Sequence, residues 1–202
     1  MVGTNWQSQV VTPETAFQKI EPGMCIFRGT GTAEPRTLVR HLMEADMGNL
    51  QDLELFQLLS FGDALSMQRL QSQKYRLKTF FSGWVANEAI AAGRVDLIPS
   101  RFSRLTRLIA SRRIPFDVAF VQVTPPNKLG YCSLGVSADV AHLAIEQADL
   151  VVGEINDDIP RTYGDTLVPA GAFDMLVKST EAPIYFKRWS VDAAFDKVAR
   201  NA

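Results

Sequence analysis

The stretch Pro115–Asp158 constrains the fold more than any other part of this chain. Phe116–Val123 is an apolar, β-rich run that Pro125 and Pro126 stop. Asn127–Gly130 reads as a turn, since Asn and Gly tolerate positive φ. Ser137 is the predicted N-cap of a helix over Ala138–Ala148, with Val140, Leu143, Ala144 and Ala148 on one face. Leu150–Ile155 is a second apolar strand, whose end carries Glu154, Asn156 and two aspartates. Two strands joined by a helix lie parallel, with a right-handed crossover. Their carboxyl ends then share one sheet edge, and open α/β sheets bind ligands outside that edge. The loops Thr124–Ser133 and Glu154–Thr162 fall there.

The rest of the chain alternates in the same way. Thr12-Pro13 reads as an N-cap and first helical residue of a short helix to about Ile20. Strands are predicted at Met24–Arg28, Leu53–Ser60, Leu77–Ser82 and Val95–Ile98, with shorter ones at Phe173–Val177 and Ile184–Phe186. Pro35 opens a helix through about Ala45, buried along Leu38, Val39, Leu42 and Met43. Further helices are expected at Asp63–Gln71, around Asn87 up to a C′ glycine at Gly93, and at Val191–Ala199. This order predicts a three-layer α/β domain with an open, mainly parallel sheet.

Two segments carry possible ligand chemistry. Gly29-Thr30-Gly31-Thr32-Ala33-Glu34-Pro35 joins a strand to a helix start, a geometry that favours anions. It is not a Walker A loop, because no Gly-Lys-Ser/Thr follows, and Glu34 stands where a dinucleotide fingerprint needs its third glycine. A plain strand-to-helix turn is the competing reading. The segment Arg101–Arg113 is amphipathic, with Phe102, Leu105, Leu108 and Ile109 on one side, and holds arginines 101, 104, 107, 112 and 113. It is either a patch for a phosphorylated ligand or a solvated helix face with a cationic end. The spread of the arginines around the helix favours the second.

Composition narrows the function classes. The chain has 202 residues, 47% of them hydrophobic, and a formal charge of −1. That supports a sizeable core and argues against nucleic-acid or membrane-surface partners. Cys25 and Cys132, on a predicted strand and in a predicted loop, lack metal-ligand spacing. They point to a reducing compartment, so a cytoplasmic location is expected, with neither signal peptide nor membrane span. His41 and His142 sit on predicted helices with no matching nucleophile motif or second metal ligand, and are read as structural.

Four segments are similar to the N-terminal half of the acetyl-CoA hydrolase/transferase family, which includes the 4-hydroxybutyrate and acetate CoA-transferases. They are GTGTAEPRTLVRHL (29–42), NEAIAAGRVDLIPSRFSRL (87–105), DVAFVQVTPPNKLGYCSLGVSADV (117–140) and VVGEINDDIPRTYGDT (151–166). The family often has Asp where Asn127 stands, and Asn-Val-Arg-Glu where this chain has Val85-Ala86-Asn87-Glu88. The resemblance implies a CoA-transferase-like domain over residues 1–202, paired with a second α/β domain outside the chain. In the family a glutamate of that second domain, beyond a Gly-Ile-Gly loop, attacks an acyl-CoA thioester and becomes a glutamyl-CoA thioester. No catalytic nucleophile is assigned here, since that motif is not found in the sequence. Glu34, Glu88 and Glu154 are read as helix-start charges, surface carboxylates or hydrogen-bond anchors, and nothing cationic adjoins Cys132.

The resemblance places Gly29, Thr30, Gly31, Thr32, Ala33, Glu34 and Pro35 at the substrate cleft. Asn87, Asn127, Gly130 and Tyr131 are expected on neighbouring walls, with Glu154, Asn156 and Arg161, the last able to pair with a carboxylate bidentately. Expected partners are an acyl-CoA, a short-chain carboxylate, a C-terminal CoA-transferase domain and a second copy in a homodimer. Neither metal nor cofactor is expected, the CoA thioester being substrate. A non-catalytic module that binds acyl-CoA or carboxylate, or assembles a larger fusion, stays open. Analogy to sugar-phosphate isomerases rests on fold alone.

Overall fold

A computed structural model describes residues 6–59, 74–81, 90–91, 93 and 95–185. Its centre is a seven-stranded sheet: β1 (Cys25–Arg28), β2 (Leu53–Gln57), β3 (Tyr75–Thr79), β4 (Val95–Leu97), β5 (Val118–Val123), β7 (Leu150–Ile155) and β9 (Met175–Lys178). The strand order is β4-β3-β2-β1-β5-β7-β9, and every neighbouring pair is parallel. Strands 1 to 4 step outward in one direction, and strands 5, 7 and 9 in the other. The switch point is therefore between β1 and β5, and the loops after Arg28, Val123 and Ile155 share one edge, as the sequence predicts.

Both faces of the sheet are covered, which is why the inner strands are apolar at successive positions. Ile26, Val118, Phe120, Val152 and Val177 pack on one side with Phe17 of α1 (Pro13–Phe17) and Leu38, Val39 and Leu42 of α2 (Arg36–Glu44). Phe27, Phe56, Ala119, Val121 and Val151 pack on the other with Leu105 and Ile109 of α3 (Phe102–Ala110) and Ala141 and Ala144 of α4 (Ala141–Gln147). The Thr12 cap holds as read: its hydroxyl accepts from Thr15 N–H, with Pro13 at the first helical position. Among the described residues no helix is long and apolar enough to cross a membrane.

Several expectations are corrected. The α4 helix starts at Ala141, not Ala138, and Ser137 does not cap it, because the Ser137 hydroxyl lies 2.6 Å from that of Thr32. Cys132 is not in an open loop: it lies buried in β6 (Tyr131–Ser133), which pairs antiparallel with β8 (Leu167–Pro169). These two strands form a separate two-stranded sheet. Phe102 does not join the buried side of α3; it is exposed and stacks on Phe81 at 6.1 Å. Ile184 and Tyr185 form no strand. The segments 63–71 and 191–199 lie outside the described residues, as do Asn87 and Glu88.

Candidate active-site edge

The switch point is built from the loop between β1 and α2. Gly29 N–H donates to Phe120 O at 2.9 Å, and Gly31 N–H to Leu59 O at 3.0 Å. A short 3₁₀ turn follows over Gly31–Ala33. Two glycines are needed for distinct reasons. A Cβ on Gly29 would lie 2.7 Å from Ala33 O, and Gly31 has φ +62°. Side chains then pin the loop: Thr30 donates to the Asp139 carboxylate, and Gln122 Nε2 donates to Thr32 O at 3.2 Å. Of the seven candidate residues here, Gly31 and Thr32 are half-buried, while Gly29, Thr30, Ala33, Glu34 and Pro35 are buried.

Beneath the loop a row of buried polar side chains crosses the sheet: Thr79, Gln57, Arg28, Gln122 and Glu154. Gln57 pairs in register with Thr79, and Gln122 with Glu154. Arg28 Nη1 lies 3.2 Å from Glu34 Oε1, with both side chains almost fully buried. Burial pulls the Arg28 pKa down and the adjacent Glu34 carboxylate pulls it up. Among the described residues, Arg28 Nε and Nη2 and Gln57 Oε1 have no hydrogen-bond partner.

Glu154 is an anchor. Its carboxylate accepts from Thr37 N–H at 3.3 Å, Leu38 N–H at 2.9 Å and the Ser179 hydroxyl at 2.7 Å. Burial raises its pKa, against the lowering effect of those hydrogen bonds. The start of α2 has no acidic residue in its first turn and no side-chain cap from Pro35. A carboxylate from a neighbouring strand therefore does the capping. The N–H groups of Thr37 and Leu38 thus face a protein carboxylate.

The other candidates sort similarly. Asn156 is buried, donates to Gln122 Oε1 at 2.7 Å and accepts from Asp158 N–H. Asn127 Oδ1 accepts from Leu129 N–H and Tyr131 N–H, closing the turn that Gly130 makes at φ +80°. Arg161 donates to the backbone carbonyls of Tyr131 and Pro125, so its guanidinium ties together the two ends of the 125–131 loop. Ser133 and Thr162, absent from the sequence reading, bond to each other at 3.1 Å.

Among the described residues, a cleft of 240 Å³ opens at the edge, lined by Thr32, Ala33, Gln122, Leu134–Val136, Asp158–Pro160 and Pro183–Tyr185. The walls are predominantly apolar. The structure brings only Thr32 and Ala33 of the expected residues onto them. Gln122 was the legible signal missed, a lone amide near the end of an all-apolar strand. Burial pushes the Cys25 thiol up to about 12 and the Cys132 thiol up to about 11, so neither supplies a thiolate at neutral pH. His41 Nδ1 pairs with Glu14 at 2.9 Å. Among the described residues no cluster of His, Cys, Asp or Glu could hold a metal.

Asp139, on the loop facing Thr30, has φ +35°. The residue is exposed as a whole, yet desolvation of its carboxylate pushes the pKa up to about 6, opposed by hydrogen bonds from Thr30 and the Val140 and Ala141 N–H groups. A raised pKa means the folded state holds the proton more tightly. This group's contribution to stability is greatest below the ordinary value of 3.8 and falls as pH rises to about 6. Asp139→Asn should flatten that part of the stability profile, measured by urea unfolding across pH 4–6 (roughly the titration window of a raised carboxylate). Identical slopes in both proteins would remove Asp139 as the titrating group.

The model of the family described as acetyl-CoA hydrolase/transferase N-terminal domain matches residues 2–186. The 4-hydroxybutyrate coenzyme A transferase of Clostridium kluyveri is 33% identical over 175 residues, covering 87% of this chain and 41% of that protein. A succinyl-CoA:acetate/propanoyl-CoA:succinate CoA transferase of Fasciola hepatica is 34% identical over 161 residues, 77% of this chain and 32% of that one. The chain thus spans less than half the length of these relatives. RipA from Yersinia pestis has the same fold, at TM-score 0.81 and 24% identity over 93% of this chain and 46% of that one.

Proposed function

The chain belongs to the acetyl-CoA hydrolase/transferase family, and from that premise we propose that it forms the substrate-side half of an acyl-CoA:carboxylate CoA-transferase. The other half is a second α/β domain that closes over the carboxyl edge and supplies the nucleophile. The observation that carries the reading is the apolar cleft of 240 Å³ beside the β1–β5 switch point. It is smaller than a typical drug-sized pocket of roughly 300–1,000 Å³ and suits a short acyl chain. Val136 and Tyr185, which line it, stand exposed, apolar surface for a domain to cover.

In this reading the glutamate carboxylate of the second domain attacks the thioester carbonyl and expels CoA thiolate, leaving an acyl-glutamyl anhydride. The thiolate then attacks the glutamyl carbonyl, the acyl carboxylate leaves, and a glutamyl-CoA thioester remains. The acceptor acid repeats both steps in reverse, and water in its place gives hydrolysis. This chain's part is to hold the acyl group in a dry cleft, which sharpens every electrostatic interaction there. The test is exchange of CoA between acetyl-CoA and labelled short-chain acids. The full-length protein should transfer and the 202-residue chain alone should not. Transfer by the chain alone would place the nucleophile within it. A full-length protein that binds acyl-CoA without transfer would establish the non-catalytic module instead.

A further inference from the structure

A second concavity, of 690 Å³, lies along α3 on the side of the sheet away from α2. Ser100, Arg104, Arg107, Ser111 and Arg113 line it, with Leu108 beneath. It shares no lining residue with the apolar cleft. We propose that this groove binds a small polyphosphate, a ligand with two or more phosphoryl groups such as a nucleoside diphosphate.

Three arginines line one groove, although they are spread through the sequence of the segment. Arg104 and Arg107 are three residues apart on α3, so they stand on one face about 5–6 Å apart at Cβ. Arg113 comes from the turn beyond the helix. All three are exposed, and among the described residues none has a side-chain hydrogen bond or an ion pair. Unpaired guanidinium forks in a shared concavity are the usual means of gripping phosphoryl oxygens bidentately.

The helix dipole does not account for these charges. Arg107 is in the last turn, where a cation is favourable, but Arg101 is the N-cap residue and Arg104 is in the first turn. Cations at that end oppose the dipole, and the first turn contains no acidic residue to offset them. The exit from the helix is also unusual. Arg112 holds φ +53°, a left-handed conformation uncommon for a side chain of this kind. It turns the chain so that Arg113 returns beside Ser111. The volume falls within the range of small-molecule sites. With a formal charge of −1 overall, the chain lacks the broad positive field that nucleic acid or a membrane needs.

The source of the phosphates is either a free nucleotide or the nucleotide end of CoA, and calorimetric titration of the full-length protein distinguishes them. The probes are pyrophosphate, ADP and CoA. Pyrophosphate and ADP should bind saturably, more weakly as salt rises. The double variant Arg104→Gln/Arg107→Gln should lose at least about tenfold in affinity for both, the effect of removing charge-assisted bonds. Its thermal unfolding should match the wild type, since both residues are exposed. Arg104→Lys/Arg107→Lys should recover part of the loss, keeping charge without the fork. An equal loss for CoA assigns the groove to the substrate's own nucleotide; loss confined to ADP and pyrophosphate assigns it to a free one; both support the site. Should the double variant fail to fold, Arg113→Gln alone should weaken ADP binding measurably. Absence of saturable pyrophosphate and ADP binding, or unchanged affinity in the Gln variants, overturns the proposal. Neither result depends on whether the protein transfers CoA.

Discussion

Arg28→Met should destabilise this domain by about 3–5 kcal/mol, the usual cost of breaking a buried ion pair from one side. Arg28 and Glu34 are 2% and 1% exposed, and their contact is 3.2 Å. Removing the guanidinium takes this ion-pair contact away from a carboxylate in a desolvated position. The pair itself is poorly satisfied, because among the described residues Arg28 Nε and Nη2 find no acceptor and Gln57 Oε1 finds no donor. The double variant Arg28→Met/Glu34→Leu should therefore return to within about 1–2 kcal/mol of wild type, or exceed it. Urea unfolding of both variants measures the difference. A single variant as stable as the wild type would show that the pair contributes nothing against its own desolvation.

The second large effect is expected at Glu154. Its carboxylate is 0% exposed and receives three donors, two of them backbone N–H groups at the start of α2. Each buried donor left unsatisfied costs about 1–3 kcal/mol, and such terms are not fully additive. Glu154→Ala should then cost about 3–5 kcal/mol, with a cavity included. Glu154→Gln keeps one acceptor oxygen but points an amide at donors, so an intermediate loss is expected. The loss should come with exposure of α2: hydrogen exchange at Thr37 and Leu38 should rise more than exchange in β5. Uniform protection across α2 in Glu154→Ala would show that the helix start is satisfied by other means.

The parallel sheet and the shared edge of its loops were legible because both faces of the central strands are covered. Burial on both sides writes itself as unbroken apolar runs such as Val118–Val121. Proline and glycine marked where those runs stop. The roles of the polar residues at the edge were less legible, because each is settled by a partner far away in sequence. Glu154 serves a helix 116 residues earlier, counted to Leu38, and Arg161 serves a carbonyl 36 residues earlier, at Pro125. Nothing local distinguishes such a carboxylate or guanidinium from one held open for substrate. The two-stranded pairing of β6 and β8 was missed for a similar reason. Each strand has three residues, too short for periodicity to register, and their pairing spans the whole of α4 and β7.

The strand order also governs when the molecule can complete itself during synthesis. β1 pairs with β2 through Ile26 and Leu55, but its other edge stays open until Val118 has been made. Val10 waits longer still, since its bridge partner is Leu176. A nascent chain must therefore carry an unpaired, apolar strand edge while some ninety further residues are added, about 5–20 s at roughly 5–20 residues per second. Sheets closed by distant pairings form slowly and expose sticky edges as they do. The central position of β1, which puts the switch point in the middle of the sheet, is thus also the feature that most exposes the newborn chain to aggregation.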